Sequence, residues 1–355
     1  MMRYVRLLLL FFPIAILAEI FHWGDLVVFA TAALAIVPFA GLMGEATEAL
    51  ADKTGPRIGG LLNASLGNLA ELIITIVAIS AGKIALVKAS IIGSVLGNLL
   101  VVLGFSLLFG GLKFGVQRFS RDRISVDATL VVLAAIAISV PSLFSEQIEP
   151  DFARVEYLAL ATAAVVLALY VLFIIYSLRQ PQLEDEHIPG TIEPSHSGPH
   201  WPVSRALVVM ALAIVGLAIM SEFLVSSLDT VTESLGLSEF FVGIILVPLI
   251  GNVAEHLVAV QVAMKNKMDL SLSIALGSSL QIALSVAPIL VFISLLMGNP
   301  MTLEFNHPEL IAMVVASVIA ALVAIDGRSN WLEGAMLIAV FLMLAIGFFF
   351  LPAGI

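Results

Sequence analysis

Gly67-Asn68-Leu69-Ala70-Glu71 returns 184 residues later as Gly251-Asn252-Val253-Ala254-Glu255, and each copy lies inside an apolar run. At the same offset Gly59 meets Gly243, Lys83 meets Lys267, and Gly93-Ser94 meets Gly277-Ser278. Apolar coincidences are cheap in such a chain, but a glycine, an amide, an acid and a Gly-Ser pair at one constant spacing are not. The two stretches therefore read as an internal repeat. Asn and Glu at i and i+3 share a helical face. An acid placed deep in a membrane costs about 2.5–3.5 kcal/mol on insertion scales, so a matched pair of them calls for a joint explanation.

The rest of the chain agrees with a membrane setting. Of 355 residues, 61% are hydrophobic and 12% charged, and the mean hydropathy is +1.12, whereas soluble domains carry about 45–50% apolar and about 25% charged residues. Counting about 20 residues per span, the apolar runs predict spans near 7–21, 25–44, 59–81, 89–109, 124–144, 155–176, 203–226, 239–264, 270–297, 308–325 and 330–351. The expected fold is an all-α integral membrane protein of eleven transmembrane helices. A cytoplasmic N-terminus puts thirteen Lys and Arg residues inside and only Lys83, Lys88 and Arg154 outside. The positive-inside rule then predicts an N-in, C-out, multi-pass topology. Arg3 and Arg6 before the first apolar run also suit a signal peptide, but no small-x-small cleavage site follows, and the segment reads as a first span.

There is no cysteine, so disulfides and thiolate metal sites are excluded and a bound metal would need oxygen or imidazole ligands. The net charge of −10 comes mostly from loop acids such as Glu146, Glu149, Asp151 and Glu184-Asp185-Glu186, and argues against nucleic-acid binding. The expected partners are inorganic cations, protons and the lipid bilayer, with a homo-oligomer left open.

The linker from Leu178 to Pro202 holds four acids, three histidines (His187, His196, His200) and five prolines, a composition that disfavours regular structure. It divides the chain into an N-terminal helix (1–23), a first five-helix repeat (24–178), a cytosolic acidic and histidine-bearing linker (179–202) and a second five-helix repeat (203–355). Five spans separate the two motifs, so they cross the membrane in opposite senses and the repeat is inverted. Secondary transporters are commonly built in this way, with the substrate near the midplane at the junction of the copies. That organisation predicts alternating access and not an enzyme.

Two bare carboxylates at such a junction repel each other and lose hydration. Either protons or a divalent cation can neutralise them, and metal binding displaces protons. If each Glu gives up one proton, about two protons exchange per ion. Calcium takes about six to eight oxygens, more than Glu71 and Glu255 supply. Gly67 and Gly251 can loosen the helix before each acid, and Pro248 cannot donate a backbone bond, so carbonyl oxygens can be freed nearby. Asn68 and Asn252 offer amide oxygens. The next span of each half adds Gly93-Ser94-Val95-Leu96-Gly97-Asn98 and Gly277-Ser278-Ser279-Leu280-Gln281. There Ser94, Ser278, Ser279, Asn98 and Gln281 can bond across close-packed helices. The repeat is imperfect here, because Gln281 faces Gly97 at the constant offset. His256 follows Glu255 and points about 100° away around the helix. A satisfied bundle histidine and a proton carrier both fit it.

These motifs, extended to Gly67–Ile73, Gly93–Leu100, Gly251–His256 and Gly277–Leu284, resemble the signatures of the cation/proton exchanger family within the calcium/cation antiporter superfamily. The likeness spans nearly the whole chain and includes Gly44-Glu45-Ala46-Thr47-Glu48. It implies that Glu71 and Glu255 bind the ion and the protons, with Asn68, Asn252, Ser94, Ser278 and Gln281 around them. It implies transported Ca2+ and H+ and no cofactor; manganese, zinc or cadmium can use overlapping ligands. Glu45 and Glu48 are candidates for an entry funnel. The family's acidic linker segment is reduced here to Glu184-Asp185-Glu186.

Three rivals can be weighed on the same residues. A sodium-coupled or potassium-dependent calcium exchanger would be expected to carry a carboxylate where Gln281 stands and to lack the Glu255-His256 pair. A cation channel fits an inverted repeat with glycine-broken helices less well than a rocking carrier does. An intramembrane metalloenzyme needs a metal-binding histidine pair, and His256 is the only histidine well inside a predicted span.

Overall fold

The structure is a computed structural model that describes residues 5–148, 151–179 and 201–351. It is helical apart from one short strand pair. After a 3-10 turn at Arg6–Leu10, the helices are α1 (Phe11–Ile20), α2 (Asp25–Leu66), α3 (Leu69–Ser80) and α4 (Ile84–Phe114). Strand β1 (Gln117–Arg118) leads to α5 (Arg121–Ile148) and α6 (Phe152–Arg179). The second half holds α7 (Val203–Ser226), α8 (Leu228–Leu235), α9 (Glu239–Gly251), α10 (Val253–Ala263), α11 (Met268–Leu296) and α12 (His307–Ile325). Strand β2 (Arg328–Ser329) pairs antiparallel with β1, and α13 (Trp331–Phe349) closes the chain.

Eight helices among the described residues are long and apolar enough to cross a membrane, or nine if α8 and α9, bent by 110°, count as one span. These eight coincide with eight of the expected spans. Where the other three were expected, the chain forms shorter helical pieces or the end of a longer helix. The 7–21 span is a 3-10 turn followed by the ten-residue α1, and the two spans that carry the repeated acids are broken at the Gly-Asn step.

The expected turn at 45–58 is not there: α2 continues through it to Leu66. Ala46, Ala49 and Leu50 pack against Trp201, Ala206 and Met210, while Glu48 is exposed. The polar residues thus decorate one face of an amphipathic helix and do not end it. Glu45 and Glu48 accordingly sit within α2 and not at a helix end. The acidic linker and its histidines lie outside the described residues.

Candidate functional site

Both motif helices break in the same way. Asn68 (φ −97°, ψ 22°) precedes α3, and Asn252 (φ −98°, ψ 2°) precedes α10. These are bridge-region conformations, sparsely populated and common at functional residues. Each break sets a Glu in the first turn of the following helix, Glu71 in α3 and Glu255 in α10.

The side chains around the two acids interlock across the halves. Asn252 and Ser94 lie beside the Glu71 carboxyl, and Asn252 Nδ2 donates to Ser94 Oγ at 3.2 Å. Ser278 Oγ lies 2.8 Å from Glu255 Oε2 and 3.2 Å from Asn68 Oδ1. A hydroxyl has a single hydrogen, so it serves the carboxylate or the amide in turn. Each cluster therefore takes its acid and serine from one half and its asparagine from the other. Asn98 Nδ2 donates to Ser278 Oγ at 3.0 Å, and Asn68 Nδ2 donates to Gln281 Oε1 at 2.8 Å. The two acids are close enough for Glu255 to repel Glu71.

Glycines bring these elements together. A Cβ on Gly251 would lie 3.6 Å from Glu71 Cγ, and one on Gly97 would lie 4.0 Å from His256 Cε1. The position that matches Gln281 in the first half is thus small, and the His256 ring lies beside it. His256 Nε2 is buried without a partner. Gly67 is part of the α3 break, and Pro248 lies in α9 one turn before Asn252, whose N–H bonds its carbonyl at 3.0 Å. Ser279 is not drawn into the network; its Oγ donates to Ala275 O of its own helix at 3.0 Å. Nor is Glu45, which pairs with Arg6.

Three π-helical segments, absent from the sequence reading, surround the site: Gly97–Val102 in α4, Val242–Leu246 in α9 and Ile282–Val286 in α11. Such segments are rare and cluster at functional positions. Two of them have a cause in the sequence. Pro248 and Pro288 cannot donate to Ile244 and Leu284 four residues back, and both carbonyls lie inside a π segment. The first and third segments occupy nearly matching positions in the two halves.

Thr75 and Ser90 were also missed. Together with Glu71, Ser94, Ile91, Ile282 and Val286 they line a small cavity of about 10 Å³, and Glu71 Oε1 is buried without a hydrogen-bond partner. The signal was available, since Thr75 lies one turn beyond Glu71 and Ser90 one turn before Ser94. Among the described residues no three His, Asp or Glu side chains gather. A divalent ion at these acids would complete its shell from amide, hydroxyl and backbone oxygens. Replacing Ser278 by Ala removes the hydroxyl that touches Glu255, Asn68 and Asn98. Hydrogen bonds to charged groups contribute about 1.5–3 kcal/mol, so if a cation binds at these acids its affinity is expected to fall at least tenfold in Ser278→Ala, as read by calorimetric titration.

A buried and a half-buried acid at matched helix breaks in a multi-pass apolar bundle are the arrangement expected of an ion-handling membrane protein. Comparison with known sequences makes the class specific. The chain belongs to the sodium/calcium exchanger protein family, whose model matches residues 24–179 and 205–350. It is 45% identical to a Ca2+/H+ antiporter of Aphanothece halophytica, over 97% of this chain and 96% of that one. It is 42% identical to a Ca2+/H+ antiporter of Synechocystis sp., with the same coverage of each chain. The crystal structure of the selenium-substituted Ca2+/H+ antiporter protein YfkE is similar at TM-score 0.85 and 38% identity, covering 98% of this chain and all of that one.

Proposed function

We propose that this protein is a secondary active antiporter that exchanges Ca2+, or a similar divalent cation such as Mn2+, for protons by alternating access. Glu71 and Glu255 bind either the cation or protons, with about two protons exchanged per ion. Asn68, Asn252, Ser94 and Ser278 supply neutral oxygens, the Gly67 and Gly251 breaks release backbone carbonyls, and Asn98 and Gln281 brace the amides. The observation that carries this reading is the interlocked pair of clusters, Glu71-Ser94-Asn252 and Glu255-Ser278-Asn68. A site whose halves each borrow an amide from the other repeat changes shape when the repeats move against each other. The crossed pattern also supports two inverted five-helix repeats after an N-terminal helix, and the family match in two stretches on either side of the linker agrees with that division. The N-terminus is cytoplasmic and the C-terminus outside in this reading.

The test is cation uptake into proteoliposomes under an imposed pH gradient, with external pH followed at the same time. Uptake should collapse when the gradient is removed by an ionophore. Calcium entry without proton release would overturn the proposal, and entry that follows a sodium gradient would favour the sodium-coupled alternative, against which Gln281 in place of a carboxylate argues. His256, whose ring lies beside Gly97 with its Nε2 unpartnered, is the third proton-coupling residue of this reading. His256→Gln is therefore expected to displace the pH dependence of uptake, and full retention of that dependence would remove it from the mechanism.

A further inference from the structure

The two ends of the site are built alike yet differ in one contact. α3 and α10 finish in the same left-handed cap, at Gly82 (φ 74°) and Asn266 (φ 58°), 184 residues apart. Each cap is followed by a lysine whose N–H bonds back into its helix, Lys83 to Ala78 O at 2.9 Å and Lys267 to Val262 O at 3.0 Å. An amide from the other half holds each end: Asn299 Nδ2 donates to Ile79 O at 2.9 Å and Gln117 Nε2 to Ala263 O at 3.1 Å. These contacts are present at both ends, so they do not report which way the site faces.

The charges do. Lys83 Nζ bridges to Asp229 at 2.5 Å and to Glu239 at 3.2 Å, tying the end of α3 to the second half. The residue 184 positions before Asp229 is Glu45, so Glu45 and Lys267 are the repeat of that pair. They are not paired. Glu45 accepts from Arg6 Nη2 at 2.6 Å, and among the described residues Lys267 has no acidic partner. Burial differs in the same sense. α3 buries six residues, Glu71 among them, whereas α10 buries only Ala259 and Ala263.

We propose that Lys83–Asp229 and Lys267–Glu45 are alternate closures of one device, the first shut and the second open in this structure, and that Arg6 keeps the second open by occupying Glu45. This rests on the inverted-repeat antiporter reading. In the opposite-facing state Lys267 takes Glu45, Lys83 releases Asp229, and the segment before the first repeat sets the balance. Burial lowers the pKa of Lys83, but its bonds to Asp229 and Glu239 outweigh that and hold it above the ordinary lysine value. The clamp is thus fully charged below that value and is lost only as pH rises through the folded-state pKa, well above neutrality. Exposed ion pairs are individually weak, so each biases the equilibrium by no more than about five-fold.

The chain has no cysteine, which makes the test direct. Val258→Cys, one turn beyond Glu255 and 40% exposed, is labelled in proteoliposomes with a membrane-impermeant maleimide applied from the Lys267 face. Arg6→Gln should slow labelling about two- to five-fold. Adding Lys267→Gln should restore the parent rate, and Asp229→Asn alone should also slow it. The proposal is overturned if Arg6→Gln leaves the rate unchanged or accelerates it, as general loosening would, or if Lys267→Gln fails to restore it. Labelling needs no transport, so vesicles that fail to exchange cations for protons count against the antiporter reading and leave this test in force.

Discussion

Glu71→Gln and Glu255→Gln are each expected to reduce cation-driven proton release by about 100-fold or more, to the level of empty vesicles. The substitution keeps shape and most hydrogen bonding but removes one of two formal charges facing a divalent ion in a buried site. Removing one partner from a buried, hydrogen-bonded charge arrangement costs about 3–5 kcal/mol, or about two to four orders of magnitude in affinity. The two variants should differ in the ion-free protein. Glu71 is only 6% exposed and its Oε1 lacks a partner, so the substitution removes a buried charge from an incompletely hydrogen-bonded position. Its melting temperature in detergent should rise. Glu255 keeps the Ser278 hydroxyl at 2.8 Å, and its Gln variant should gain less. Transport and proton release measured on the same vesicles, with melting curves with and without calcium, check both parts. Normal exchange by either variant would remove that acid from the mechanism.

How much of this could be read from the sequence depends on range. Eight of the apolar helices, the two helix breaks and the 184-residue offset between Glu71 and Glu255 were legible because each leaves a local mark: an apolar run, a Gly-Asn step, a constant spacing. The continuation of α2 through 45–58 was not. Acids and a lysine looked like a membrane boundary, whereas Ala46, Ala49 and Leu50 find partners in Trp201, Ala206 and Met210, more than 150 residues away. The crossed bonding was equally hidden. Composition shows that Ser278 can bond something, but not that Asn68 from the other half lies 3.2 Å from it. The asymmetry between Gly97 and Gln281 was visible as a mismatch, and only packing shows that the small residue lies beside His256 while the large one holds Asn68. Thr75 and Ser90 had the right spacing, but hydroxyls on apolar helices more often bond their own backbone, as Thr75 does to Glu71 O at 2.7 Å.

Gly93→Ala is expected to be the most damaging small substitution away from the acids. A Cβ there would strike the Ile244 carbonyl oxygen, with its carbon and Pro248 Cγ both at 2.7 Å. None of these is the end of a flexible side chain. Across the same crossing, a Cβ on Gly243 would meet Leu86 O and Ala89 Cβ at 2.9 Å, so α4 and α9 approach through two glycines and neither can yield for the other. Overpacking of this kind typically costs about 1–3 kcal/mol. Here the displacement also moves Ser94, the next residue, away from Asn252 and Glu71. A lower melting temperature and a KM for the cation raised at least tenfold are expected together. Gly277 is the matching residue of the second half, and nothing lies within 4 Å of a Cβ built on it. Gly277→Ala should therefore stay close to the parent protein in the state described here. If both variants lose stability and affinity equally, the tight crossing at Gly93 is not what positions Ser94. If only Gly93→Ala does, two residues equivalent by sequence differ because their halves adopt different packing, the condition for one buried site to serve two faces of a membrane.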